Sequence, residues 1–428
     1  MFRLPDELLA EIFFEYSLDY ADAPMLLSSV CRPFRDILLH SPDVWTQLNI
    51  SLSTWNARAM AKKVAIWLKR SGACLIQLDI SLSLNQHSTD VGSSLEPVIT
   101  LLQQNRSRFI SLEVHSPTGA LSHRFLEALY PCSSDLDVLC HAQNSLRLES
   151  LKIDIAREHS TSTHTFLPSL TSMYHLKSLE LVNHFIPLPA TTEAHFLHLR
   201  SISIIRPLRA SPLPATQLLQ LLQAAPMLSD IHIETRVMAP RMGQRLPPPV
   251  ETVLPQVRRL TLRANNMSLL LGPMVLPALE DLHLHDLNGK GERSAQKLSG
   301  AVRRVLASVD APFCRLRELE LSGVSLRMDS EGEQATDWAW CIQRMWKVER
   351  LRLIDTDGNA LFSHLTHTEE GGEACGGSLF PQLKVMELER STVSEPVVKA
   401  WQKSRPTVFI HDLTPTWSTE PHSAPIVF

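Results

Sequence analysis

At 428 residues the chain exceeds the roughly 250–300 at which a single compact core stops growing, so several domains or an elongated repeat array are expected. Hydrophobic residues make up 44% and charged residues 20%, which excludes a disordered chain. A formal net charge of −4 is too close to neutral to argue for nucleic acid or an anionic membrane as a general partner.

The first 45 residues read as three short helices. Pro5 fixes a helix start, and Asp6 and Glu7 place negative charge at the positive end of its dipole. Leu8, Leu9, Ile12 and Phe13 recur at helical spacing as one apolar face. Pro24 opens a second helix, with Leu26, Leu27 and Val30 expected on its inner side. Residues 36–39 continue a third helical stretch that stops at Ser41-Pro42. Three such helices bury too little surface to stand alone, so their core should be completed by a partner or by the domain behind.

The succession Leu4-Pro5-Asp6-Glu7-Leu8-Leu9, Val30-Cys31-Arg32, Ser41-Pro42 and Trp45 resembles an F-box of fungal type over residues 3–46. That module docks a protein to the Skp-type adaptor of a ubiquitin ligase. Carried onto this chain, the resemblance implies an adaptor-binding face of Leu4, Pro5, Leu8, Ile12, Leu27, Val30 and Cys31. Phe34 stands where the family usually has tryptophan, and Pro33 before it is a departure that would disturb a continuous helix.

From Trp45 onward the pattern apolar-x-x-apolar-x-apolar returns twelve times. Its central residues are Leu48, Leu78, Leu112, Leu151, Leu179, Ile202, Ile231, Leu260, Leu282, Leu319, Leu351 and Met386, separated by 22 to 39 residues. This resembles an irregular leucine-rich-repeat solenoid, although the units are longer and the asparagine or cysteine that follows the last leucine is largely missing. In each copy the last two apolar residues alternate with polar ones, as in a strand with one face buried. Helices are expected at residues 56–70, 95–105, 216–225, 294–308, 336–346 and 394–402. Pro226, Pro255, Pro277 and Pro381 each precede a central strand residue by five positions and should end the segment before it. The expected fold is thus α/β, a small all-α F-box followed by a solenoid with a curved parallel sheet and outer helices. The expected domains are 1–46, 47–412, and a flexible tail at 413–428 rich in Thr, Ser and Pro.

Polar residues between the strand leucines should line the concave side. Candidates for a substrate surface are Glu113, Lys152, Asp154, Glu180, His232, Glu234, Arg263, His283, His285, Glu320, Arg352 and Glu387. Across all such positions acidic residues outnumber basic ones, which suits a basic or mixed-charge ligand. Residues 236–251, with Pro247-Pro248-Pro249, and the glycine-rich segment 369–378 are further candidate recognition loops.

Signals for chemistry are absent. Gly289-Lys290-Gly291 fits no phosphate-binding spacing and reads as a turn. His283 and His285 share a strand face, but no cysteine or carboxylate trio completes a metal site at ligand spacing; the same holds for His364, His367 and Cys375. The seven cysteines, at positions 31, 74, 132, 140, 314, 341 and 375, are dispersed, odd in number and free of any CxxC, which suggests buried thiols in a reducing compartment. The helix-forming start leaves no room for a signal peptide, and sequons at Asn49, Asn105 and Asn266 should stay unmodified. Residues 269–279, the most apolar stretch, contain two prolines and fall short of the about 20 residues a bilayer span needs.

The expectation is therefore a cytoplasmic or nuclear, non-catalytic protein with no cofactor or metal and no nucleic-acid or membrane partner. By resemblance it is the substrate receptor of a Skp–cullin–F-box ligase, reaching cullin and RING subunits through the adaptor. The alternative is a repeat scaffold outside any ligase.

Overall fold

The structure is a computed structural model that describes residues 4–53, 55–83, 91–131, 147–156, 173–185, 196–238, 251–288, 292–307, 315–326, 337–370 and 380–417. Candidate loops at 239–250, 289–291 and 371–379, and Cys132, Cys140, Cys314 and Cys375, lie outside the described residues. The chain divides into two compact units, Met1–Arg206 and Pro207–Phe428.

The first unit begins with α1 (Asp6–Asp19), α2 (Ala23–Val30) and α3 (Arg32–His40), then a tight turn at Pro42–Trp45. Pro5 occupies the position before α1 without a side-chain capping bond, and Asp6 and Glu7 occupy the first turn, where the helix dipole favours negative charge. The departure at Pro33 is resolved by a break. Cys31 is fully extended (φ −156°, ψ 167°), α2 stops before it, and Pro33 sits in the first turn of α3, where its missing N–H is harmless. The Arg35 Nε–H donates to the Ser28 carbonyl at 2.9 Å and closes the corner.

Six strands follow: β1 (Gln47–Leu52), β2 (Ile76–Leu82), β3 (Phe109–Ser116), β4 (Ser150–Ile155), β5 (Ser178–Val182) and β6 (Ser201–Ile205). Three helices separate the earlier ones: α4 (Ala57–Arg70), α5 (Val91–Gln104) and α6 (Gly119–Leu129). The strands are parallel and adjacent in chain order. The predicted central residues align across them as Leu48, Leu78, Leu112, Leu151, Leu179 and Ile202, all buried.

The second unit contains α7 (Ala215–Gln223), β7 (Asp230–Thr235), β8 (Thr252–Val253), β9 (Arg259–Ala264), α8 (Ser268–Leu271), β10 (Met274–Val275) and β11 (Asp281–Asp286). It continues with α9 (Glu292–Ala307), β12 (Glu318–Ser322), α10 (Asp337–Arg344), β13 (Arg350–Ile354), α11 (Asn359–Glu370), β14 (Val385–Val393), α12 (Glu395–Ser404) and β15 (Phe409–Trp417). Strands β7, β9, β11, β12, β13, β14 and β15 form the parallel sheet, in which Ile231, Leu260, Leu282, Leu319, Leu351, Met386 and Ile410 align. β8 and β10 pair separately. The fold is a mixed α/β repeat in which parallel strands alternate with helices. β15 pairs with β14 as far as Trp417, with register shifts after Leu388 and after Glu389, so it runs past the expected domain boundary at 412.

Helices α6, α8 and α11 were not expected from sequence. The four prolines do more than end helices. Each occupies the second position of a tight turn, whose closing N–H belongs to Leu228, Val257, Leu279 or Leu383, the residue three before the strand centre. A second recurrence follows the strands. The residue after β5, β12 and β13 is Asn183, Gly323 and Asp355, each with φ between 49° and 64°. Their N–H groups donate to the carbonyls of Ile205, Ile354 and Glu389 on the next strand, which places Gly or Asx in the left-handed region they tolerate best.

Candidate functional site

The amino-terminal helices divide their apolar residues between two faces. Phe13 is buried against Phe34, with ring centroids 4.8 Å apart and edge to face. Leu4, Leu8, Ile12 and Tyr16, at successive i+4 positions, are instead 43–53% exposed. Leu26 and Val30 of α2 are 60% and 65% exposed, so the expectation that they point inward is corrected. The buried stripe of α2 is Ala23, Pro24 and Ser28, small residues that let the neighbouring helices approach closely. Of the other residues assigned to the adaptor face, Pro5 is exposed, while Leu27 and Cys31 are half-buried. Half of the large exposed apolar side chains among the described residues lie between Leu4 and Leu39. Tyr16, Leu26 and Leu39 are exposed as well, and Tyr16 continues the Leu8–Ile12 spacing.

The inside of the module is joined to the repeats behind it. Trp45 is wholly buried, its indole N–H donates to the Leu38 carbonyl at 2.9 Å, and its ring meets Trp67 of α4 edge to face at 4.9 Å. The Trp67 indole donates to the Gln47 carbonyl at 2.8 Å. The Arg70 guanidinium lies 4.3 Å from the Trp45 ring centre, and burial with repulsion from Arg35 lowers its pKa. Lys63 ties Asp22 (2.6 Å) to the Asn49 carbonyl (2.7 Å).

On the strand faces, parallel register brings the predicted polar residues into rows. In the first unit Glu113, Lys152 and Glu180 are successive cross-strand neighbours, and His115 lies beside Asp154. The His115 ring is 3.0 Å from Glu113, 3.2 Å from Asp154 and 3.5 Å from Asp79. Lys152 bonds Glu113, which raises the ammonium's pKa. Burial, with Glu113 adding to it, raises the pKa of Asp79. A cleft of about 280 Å³ opens between the end of α1 and these strands, lined by Asp19, Gln47, Asn49, Gln77, Asp79 and Glu113.

In the second unit one row runs His232, Thr261, His283, Glu320, Arg352, Glu387, and the next contains Glu234, Arg263 and His285. Arg352 is held by Glu389 at 2.9 Å, Glu320 at 3.2 Å and Glu387 at 3.4 Å. Burial opposes its charge, yet these carboxylates outweigh burial and raise its pKa. Arg263 bonds Glu234 at 3.1 Å, and His283 reaches Glu318 at 3.5 Å. Burial and then the Arg263 charge lower the pKa of His285. The acidic excess read from sequence is thus largely answered by cross-strand cations. Among the described residues no group of three or more His, Cys, Asp or Glu side chains is placed to hold a metal ion, and no helix is long and apolar enough to cross a membrane.

No protein-family model matches the chain, and no curated protein matches it. Similar solved structures include TLR13 in complex with ssRNA13, at 12% identity over 88% of this chain, with a TM-score of 0.25. The chain spans 62% of the length of that TLR13 chain. Another is a leucine-rich-repeat protein of Leptospira interrogans, at 11% identity over 78% of this chain and 89% of its own, with a TM-score of 0.23.

Proposed function

We propose that this chain is the substrate-recognition subunit of a Skp–cullin–F-box ubiquitin ligase. The observation that carries the reading is the exposed stripe Leu4–Leu8–Ile12, with Val30 of α2 also exposed, on a module whose core is already completed by Trp45 and Trp67. An apolar face left over after the core is closed is a docking surface in search of a protein partner. The order of motifs over residues 3–46 makes a Skp-type adaptor that partner. The polar strand rows would hold the target. The chain itself would be non-catalytic: proximity raises the effective concentration of target lysines beside a charged conjugating enzyme brought by the cullin and RING subunits.

A second reading, a repeat scaffold outside any ligase, draws on the same aromatic junction, which lets the three helices serve as a cap on the repeats. Co-expression with a Skp-type adaptor separates the two. A complex that survives gel filtration and is lost in a Leu4→Ala/Pro5→Ala variant supports the ligase reading. A folded chain that ignores the adaptor leaves the scaffold.

A further inference from the structure

On the strand faces the arginines stand against carboxylates: Arg259 between Asp230 and Asp281, Arg263 against Glu234, Arg352 among three glutamates. The helical side of the second unit is organised differently. Arg303 of α9 and Arg344 of α10 both stack on the Trp340 ring, 5.1 and 4.2 Å from its centre. Asp337 fixes Arg303 at 2.8 Å. Lys347, just beyond α10, lies 4.8 Å from the Trp346 ring centre. Arg304 is exposed, Arg344 and Lys347 are half-exposed, and among the described residues none of the three has a carboxylate partner.

We infer that the α9–α10 surface is a docking site for an acidic segment of a partner protein. Guanidinium groups held against an indole are pre-oriented, so less side-chain freedom is lost when carboxylates bind them. Among the described residues Asp337 is the carboxylate paired with these four cations, which leaves those residues a positive surplus on a chain of net charge −4. That combination favours a short acidic peptide over nucleic acid. A long polyanion would meet the negative field of the whole chain, whereas a few carboxylates match the patch. The site is independent of the adaptor-binding face and does not require the chain to join a ligase.

The test is a titration of the full chain into a fluorescein-labelled oligoglutamate peptide, read by anisotropy. Arg344→Gln/Lys347→Gln should weaken binding about tenfold, and Arg304→Gln should weaken it several-fold on its own. Arg259→Gln, on the strand face, should leave it unchanged, and added salt should weaken it. Unaltered affinity in both patch variants would overturn the proposal, as would an equal loss in Arg259→Gln. So would a single-stranded RNA oligonucleotide of equal charge that bound more tightly and depended on Arg344.

Discussion

The Trp45 and Trp67 rings meet edge to face at 4.9 Å, one at the end of the amino-terminal helices and the other on α4 of the first repeat. Each indole N–H is satisfied by a carbonyl, Leu38 for Trp45 and Gln47 for Trp67. This pair makes the helices and the first strand one folding unit. Trp67→Ala should therefore destabilise both together, by about 3–5 kcal/mol for a buried aromatic. Denaturant melts of the full chain check it; loss of the helices alone, with the sheet unchanged, would contradict the coupling.

The outward stripe predicts the opposite behaviour. Leu8→Asp and Ile12→Asp lie on exposed positions, so each should change stability by no more than about 0.5 kcal/mol. In the ligase reading the same substitutions should abolish adaptor capture. A melt and a pull-down on the same preparations measure both; a large stability loss would mean the stripe is core.

Gly323 follows β12 with φ +64°, and a Cβ there would come within 2.9 Å of the Asp286 carbonyl oxygen. Gly323→Ala adds the left-handed penalty of about 1–2 kcal/mol to that backbone clash. The expected result is a melting temperature several degrees lower. Gly72, also at positive φ (+56°) but with open space around it, should suffer less from the same change.

His285 supplies a pH dependence. Its folded-state pKa is lowered by burial and by Arg263, so the unfolded chain takes up a proton that the folded chain resists. Stability from this group is complete above the unfolded value of about 6.5 and is lost as pH falls below it. His285→Gln should lose less stability than the parent between pH 7.5 and 5.5. Equal losses in urea melts would remove His285 as a contributor.

The repeating leucines by themselves determined the strands, their parallel order and their register. A buried residue every second position admits only one face of each strand to the core, and a one-residue slip would expose the whole set. The prolines before four strands and the helix start at Pro5 were legible for the same reason, since their chemistry is local. Tertiary structure decided which apolar residues of the first helices face inward. Leu8 and Phe13, or Val30 and Leu38, are all hydrophobic, and only packing, of Phe13 against Phe34 and of the α3 end against the turn at Trp45, selects between them. It also decided the charge pattern. Glu320, Arg352, Glu387 and Glu389 are spread over about 70 residues of chain and meet only because β12, β13 and β14 are hydrogen-bonded neighbours. The Arg303–Trp340 contact exists because α9 packs against α10, a pairing too distant in the chain for local spacing to reach, whereas Trp340 and Arg344 are i,i+4 neighbours on one helix.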